Sequence, residues 1–194
     1  MIPIVLASGS ASRRAILEGA GVPVTIERPR VDEDALKPGL ADLAPRALAL
    51  ALAKAKALSV SVPGALVIGA DQVMEFDGFA FDKPKTQEEL KERLAAMAGR
   101  PHHLRGVVVV HRDGDIIETI QESSTLTMRD LSIDEIARYV DAAGEDVLAT
   151  VGGYALEGLG SRLFSKIEGD FFSILGLPLF PVLACLRREG AITW

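Results

Sequence analysis

The chain has very little cysteine and no long apolar run. Cys185 is the one cysteine among 194 residues, which excludes an intrachain disulfide and a cysteine-rich zinc module. Its place in an apolar helical pattern predicts a core position rather than a reactive thiol. No apolar run approaches the roughly 20 residues of a membrane-spanning helix, and the first residues lack the basic and apolar regions of a secretion signal. We therefore expect a cytoplasmic protein that does not bind membranes.

Positive net charge and the common nucleotide-binding signatures are also missing. The formal net charge is -6, which argues against a nucleic-acid partner, although a local basic cleft remains compatible with an acidic protein. There is no GxxxxGK[ST] loop, and the Gly-Leu-Gly at 158–160 is not a GxGxxG fingerprint, so kinase, P-loop and Rossmann interpretations lose their main support. Adjacent His102 and His103 would point to opposite faces of a strand, which disfavours a metal site that they share with His111.

Apolar runs alternate with helical patterns along the chain, as is typical of an α/β protein. Strands are predicted at 2–7, 22–27 and 65–70, the last ending at Asp71, with a hairpin at 73–81, a charged, turn-rich segment at 30–39 and a long helix at 43–60. A short helix after the first strand is predicted to end at Gly21, and capping boxes are predicted at Thr86 with Glu89 and at Ser132 with Glu135. Two long strands within 104–129 favour a strongly twisted mixed sheet flanked by helices. We predict one α/β domain over residues 1–194, with two lobes around a central cleft.

The first strand is followed by groups suited to an anion. Ser8 and Ser10 lie in a small-residue turn just before a helix, where backbone N–H groups and the helix dipole favour negative charge. Arg13 and Arg14 can add charge and forked hydrogen-bond donors. The alternative is a solvated helix face with an ordinary serine cap.

Further charged groups follow the other strands. Asp71 could bind a divalent metal, act as a general base toward water, or merely cap a turn. Lys83 is held in a rigid loop by Pro84 and suits phosphate, although exposed lysines commonly serve solubility alone. The acidic run 31–34 is either solvated surface or the source of a second metal ligand. Together these groups describe a metal-assisted site for a phosphorylated small molecule.

Several linked motifs extend this interpretation over nearly the whole chain. In order they are "LASGSASRRAIL", "VDED", "LAKAKA", "VIGADQV" with "DKPKT", "LSIDEIARYV", "GGYALEGLG" and "KIEGDFFSILGLPL". Their order and spacing resemble those of the Maf family of nucleoside triphosphate pyrophosphatases. The resemblance implies a Maf or inosine triphosphatase-like fold, cleavage between the α and β phosphates, a divalent cation (Mg²⁺ or Mn²⁺) and a homodimer.

The resemblance also implies residue roles. Asp71 matches the proposed proton acceptor of the family, Glu33 its acidic metal-site residue, and Arg13 the arginine of its first motif. The remaining matches are the phosphate-side lysines Lys56 and Lys83 and the loop serines Ser8 and Ser10. Whether Asp71 takes a proton or holds the metal with Glu33 stays open at this point.

Base preference is implied by fewer positions. Gln72 and Glu157 look like the branch that hydrolyses 7-methylguanosine triphosphate, because the thymidine and uridine triphosphate branch has Thr and Gln there. A carboxylate suits the cationic methylated guanine and its N–H donors. Ser12, however, stands where the methylguanosine branch has an aromatic stacking residue, Trp.

Three further positions depart from the family pattern: Ala11, Asp82 and Ser173. A thymidine or uridine triphosphate pyrophosphatase is therefore an alternative. A regulator of septum formation that acts mainly by binding and a metal-dependent phosphatase are further alternatives.

Overall fold

The computed structural model describes residues 2–36 and 43–194. Part of the charged, turn-rich segment predicted at 30–39 lies outside the described residues. The strands are β1 Ile4–Ala7, β2 Val24–Glu27, β3 Leu66–Phe76, β4 Phe79–Phe81, β5 Pro101–Arg112, β6 Asp115–Met128 and β7 Phe164–Glu168. The α-helices are α1 Ala11–Gly19, α2 Glu33–Leu36, α3 Leu43–Ser59, α4 Gln87–Met97, α5 Ile133–Ala143, α6 Phe171–Ile174 and α7 Leu179–Arg188, and short 3-10 helices lie at Glu145–Ala149 and Leu159–Leu163. In the described part of the chain, no helix is both long and apolar enough to cross a membrane.

The strands form a seven-stranded mixed sheet, which confirms the predicted fold class. The strand order is β2-β1-β3-β5-β6-β7, and β4 pairs with β3. β1 is parallel to both β2 and β3, whereas β4 is antiparallel to β3 and β7 is antiparallel to β6. β1 therefore lies between two parallel partners, and its carboxyl end has the end of β2 on one side and the continuing strand β3 on the other.

The predicted end of the third strand is wrong. The apolar run ends at Asp71, but β3 continues to Phe76. The extension is stabilised by pairing with β4 across the turn at Asp77 and Gly78, both of which have positive φ. Asp71 is therefore fixed within a strand rather than in a loop, and the predicted hairpin at 73–81 is confirmed.

The chain divides into two compact units. The first comprises residues 1–72, 105–122 and 170–194, and the second comprises 73–104 and 123–169. The core of the first unit combines apolar side chains of β1, β3, α1 and α7. Cys185 is 1% exposed within this core, and burial raises the pKa of its thiol, which confirms its predicted structural role.

A close approach between α3 and β3 positions the polar groups of the first unit. A Cβ atom on Gly69 would lie 2.1 Å from the Ala51 carbonyl oxygen and 2.7 Å from the Ala55 nitrogen. The helix backbone therefore rests directly on the strand at Gly69, a contact that only glycine permits. Asp71 lies two residues after Gly69 in β3, so this contact places residues 51–55 of α3 beside it.

We expect Gly69→Ala to destabilise the protein by about 1–3 kcal/mol, because the added methyl group must push the helix backbone away from the strand. Urea unfolding monitored by circular dichroism would measure the change. Gly106→Ala is the matched control, because a Cβ there meets no atom within 4 Å. Equal unfolding midpoints for the two variants would contradict the proposed packing.

The second unit contains α4 and α5, which contact each other. Each begins at a predicted cap. Ser132 and Glu135 form the predicted capping box. At Thr86 the hydroxyl accepts the Glu89 N–H as expected, but the Glu89 carboxylate accepts the Lys85 N–H instead of completing a box.

Candidate functional site

The turn after β1 is shaped by two serines. Ser8 is 5% exposed, and its hydroxyl oxygen accepts the Ser10 N–H at 3.1 Å. The Ser10 side chain caps α1 by accepting the Arg13 N–H at 3.4 Å. The turn therefore brings small side chains and the start of a nine-residue helix to the end of a buried strand. This geometry suits an anion, and the phosphate-binding role of both serines stays a prediction.

Arg13 is anchored at this turn by three hydrogen bonds. Its Nε donates to the Gly176 carbonyl at 2.9 Å, and its Nη1 donates to the Ala70 carbonyl at 2.9 Å and to Ser8 Oγ at 3.3 Å. Burial lowers the pKa of the guanidinium, whereas the charges of Asp71 and Glu33 raise it. The side chain is thus a fixed cation close to the carboxylates. Arg14 differs, because it pairs with Glu18 at 2.8 Å on the exposed face of the helix.

Lys54 joins two carboxylates beside the turn. Its Nζ lies 2.7 Å from Asp71 Oδ1 and 3.1 Å from Glu33 Oε1. Asp71 is 8% exposed, and burial raises the pKa of its carboxyl while Lys54 and Arg13 lower it. A raised pKa makes this carboxylate a stronger base than an ordinary exposed aspartate, as suits a proton acceptor.

The lysine that contacts Asp71 is not among the predicted site residues. Lys56 is exposed, and it is Lys54 that contacts Asp71. Two residues correspond to about 200° around a helix, so both lysines cannot face the strand. The signal for Lys54 was present in the sequence, because it continues the helical spacing of the small and apolar residues that α3 buries, Ala47, Leu50, Ala51 and Ala55. The phosphate-side role of Lys56 stays a prediction, without a contact to Asp71.

Glu33 and Asp71 are the carboxylates of this cluster that the sequence predicted as metal ligands. Within residues 2–36 and 43–194, no group of three or more His, Cys, Asp or Glu side chains is arranged to hold a metal ion. Two carboxylates that share one ammonium fit a cation such as Mg²⁺, which commonly takes one or two protein carboxylates and completes its shell with substrate phosphates and water. Glu33 and Asp71 therefore have the chemistry to hold such a cation.

Of the predicted base-specificity residues, Gln72 and Ser12 belong to the first unit. The Gln72 amide nitrogen donates to the carbonyls of Ser173 at 2.9 Å and Ile174 at 3.3 Å. Gln72 is thus tied to the backbone of α6, and Asp170 in turn accepts the Ser173 hydroxyl and N–H. Ser12 lies half-buried in α1. Base selection by these residues stays a prediction.

Lys83 and Glu157 are exposed residues of the second unit. The loop that carries Lys83 is held by Arg93, whose Nη1 donates to the Asp82 carbonyl at 2.6 Å and to the Val151 carbonyl at 2.9 Å. The same guanidinium pairs with Glu89 at 2.9 Å. Sequence reasoning missed Arg93, because a charged residue in a charged helix resembles ordinary solvated surface.

The segment before Glu157 is anchored by a buried histidine. His102 Nε2 lies 2.6 Å from the Tyr154 hydroxyl, and burial lowers the pKa of His102 to about 4. His103, its neighbour on β5, contacts Thr125 instead, at 3.0 Å. The two rings therefore have separate structural partners within this unit.

Comparisons with known proteins agree over almost the full chain. A family model described as Maf-like protein matches residues 3–189. A nucleoside triphosphate pyrophosphatase of Caulobacter vibrioides is 47% identical over 197 aligned residues, covering 100% of this chain and 98% of the relative. One of Maricaulis maris is 45% identical, covering 99% of each chain. A 7-methyl-GTP pyrophosphatase of Mesorhizobium japonicum is also 45% identical, covering 97% of each.

Proposed function

The chain belongs to the Maf family, and we propose that it is a nucleoside triphosphate pyrophosphatase, an enzyme that cleaves between the α and β phosphates. The observation that carries this proposal is the buried Asp71 within β3, which contacts Lys54 and lies close to the charge of Arg13. A protein that only binds a triphosphate has little use for a carboxylate there, because the carboxylate repels phosphate. The full-length relatives named as pyrophosphatases support the same reaction.

In the proposed reaction Asp71 orients and deprotonates the attacking water. Lys54 donates a hydrogen bond to Asp71 Oδ1. The other carboxylate oxygen of Asp71, Oδ2, accepts the proton as the water oxygen bonds to the α-phosphorus. The bond from this phosphorus to the bridging oxygen breaks, and pyrophosphate leaves with the electron pair. Arg13 and the N–H groups of the Ser8–Ser10 turn stabilise the charge on the phosphate oxygens.

We further propose that Glu33 and Asp71 hold a divalent cation, Mg²⁺ or Mn²⁺. When bound, such a cation neutralises part of the triphosphate charge and makes the phosphorus more electrophilic. Lys54 keeps both carboxylates close to each other before the substrate arrives. Measuring the activity with and without a chelator tests this cation requirement.

For the base, we propose a purine with guanine-type donors, and 7-methylguanosine triphosphate as the first substrate to test. The relative named as a 7-methyl-GTP pyrophosphatase supports this choice, as does a carboxylate at Glu157, which can accept N–H donors of guanine. Thymidine and uridine triphosphates are the alternative substrates. The cytoplasmic location and the homodimer stay predictions that rest on the sequence.

A product assay tests the reaction class. The protein is incubated with Mg²⁺ and with 7-methyl-GTP, GTP, dTTP and UTP separately, and pyrophosphate and orthophosphate are measured. We expect one pyrophosphate and one nucleoside monophosphate per turnover, with the highest kcat/KM for 7-methyl-GTP. Release of orthophosphate would instead indicate a phosphatase, and absence of turnover of every triphosphate would contradict the enzyme.

A further inference from the structure

Arg28 lies against the turn that follows β1, although nothing in the sequence singled it out. A Cβ atom placed on Gly9 would be 2.9 Å from Arg28 Nε and 3.3 Å from Arg28 Cζ. The guanidinium therefore occupies the space where any other residue at position 9 would have its side chain. Gly9 is the central residue of the Ser8–Ser10 turn, so Arg28 is a second cation beside it, in addition to Arg13.

The sheet explains how Arg28 reaches this place. β2 ends at Glu27, which is in register with Ala7 at the end of β1. Arg28 and Ser8 are the next residues of the two parallel strands, about 4.8 Å apart in the hydrogen-bonding direction. The backbone connects them as well, because the Ser8 N–H donates to the Glu27 carbonyl at 3.1 Å.

Arg28 and Asp71 lie on opposite sides of the turn. β1 lies between β2 and β3, and Ala7 is in register with Gly69 of β3 as well as with Glu27 of β2. Asp71 lies two residues beyond Gly69, on the β3 side. A triphosphate that presents its α-phosphorus to Asp71 and crosses the turn therefore directs its terminal phosphates toward Arg28.

The two arginines at the turn differ in the donors that they offer. Arg13 uses Nε and Nη1 on the chain's own oxygens. In the described part of the chain, the exposed Arg28 side chain has neither a hydrogen-bond acceptor nor a carboxylate partner. Its forked donors are available for two phosphate oxygens, the arrangement in which arginine binds phosphate most strongly.

We propose that Arg28 binds the β and γ phosphates of the substrate, the part that leaves as pyrophosphate, and so selects triphosphates. This inference rests on the proposed pyrophosphatase function. Gly9 belongs to the same subsite, because a side chain there would displace the guanidinium from the turn.

Binding of inorganic pyrophosphate with Mg²⁺, measured by calorimetry, tests the proposal independently of the base and of turnover. We expect Arg28→Met to raise the Kd for pyrophosphate roughly tenfold, as the loss of a hydrogen bond to a charged group implies. The same variant should leave the Kd for the nucleoside monophosphate product unchanged. Arg28→Lys, which retains charge without the fork, should lie between Arg28→Met and wild type.

Arg30→Met is the matched control, because it removes an exposed positive charge from the same segment. An equal loss of pyrophosphate binding in Arg30→Met would assign the effect to net charge and overturn the specific subsite. Unchanged pyrophosphate binding in Arg28→Met would overturn it as well. If wild-type protein turns over no triphosphate, it is the proposed function that fails, so the two failures are distinguishable.

Discussion

Asp71→Asn is expected to reduce kcat by roughly 10³-fold, the range in which a positioned general base contributes. Asparagine has nearly the same shape and can still accept a hydrogen bond from Lys54 through its amide oxygen. It cannot accept the proton of the attacking water at Oδ2. Steady-state rates of pyrophosphate release at saturating substrate would measure the change, and KM should rise much less than kcat falls.

The same variant separates the two roles open to Asp71. If Asp71 acts mainly as a metal ligand, raising the Mg²⁺ or Mn²⁺ concentration should restore a large part of the lost rate. If it is the base, the loss persists at every cation concentration, and this is the result that we expect.

Asp113→Asn is the control, because it also removes a carboxylate from the first unit. Asp113 is exposed, and its carboxylate accepts the Gly64 N–H rather than a group of the proposed site. Its kcat should equal that of wild type. Full activity in Asp71→Asn would remove the basis of the proposed mechanism.

The local chemistry of the first turn could be predicted from the sequence. An apolar run, a turn of small residues, a serine cap and a glycine after the helix are signals that act within about ten residues. The structure has β1, the Ser10 cap and Gly21 with positive φ accordingly. Arg13 and Arg14 were both predicted as cations beside this turn, and the resemblance to the family then implied a role for Arg13.

Contacts between distant segments could not be predicted in this way. Arg28 reaches Gly9 only because β2 pairs with β1 in one particular register, and the register of parallel strands is not encoded by any turn between them. The choice between Lys54 and Lys56 depends on which face of α3 rests on Gly69. The helical spacing of Ala47, Leu50 and Ala51 indicates that face and includes Lys54, whereas the resemblance to the family indicated only Lys56, in a phosphate-side role.

Lys54→Met is expected to weaken activity at neutral pH and to shift its pH dependence, whereas Lys56→Met should leave the pH dependence unchanged. Lys54 is the largest favourable partner of the Asp71 carboxylate and opposes the effect of burial on its pKa. Removing the ammonium leaves burial opposed by Arg13 alone, so the pKa of Asp71 rises further and a smaller fraction of the carboxylate is ionised at a given pH. The acid limb of the profile of kcat/KM against pH should therefore move to higher pH.

The direction of the shift makes the comparison between the two lysines decisive. Activity of Lys54→Met should recover as the pH is raised through the higher pKa of Asp71, because the base becomes ionised again without its partner. A lysine that only neutralised phosphate would give a loss that alkaline pH does not repair. Lys56→Met, the same substitution on an exposed position of the same helix, should retain the wild-type profile. Loss of activity in Lys56→Met with a normal profile in Lys54→Met would return the catalytic role to the lysine indicated by the motif and contradict the site built around Asp71 and Lys54.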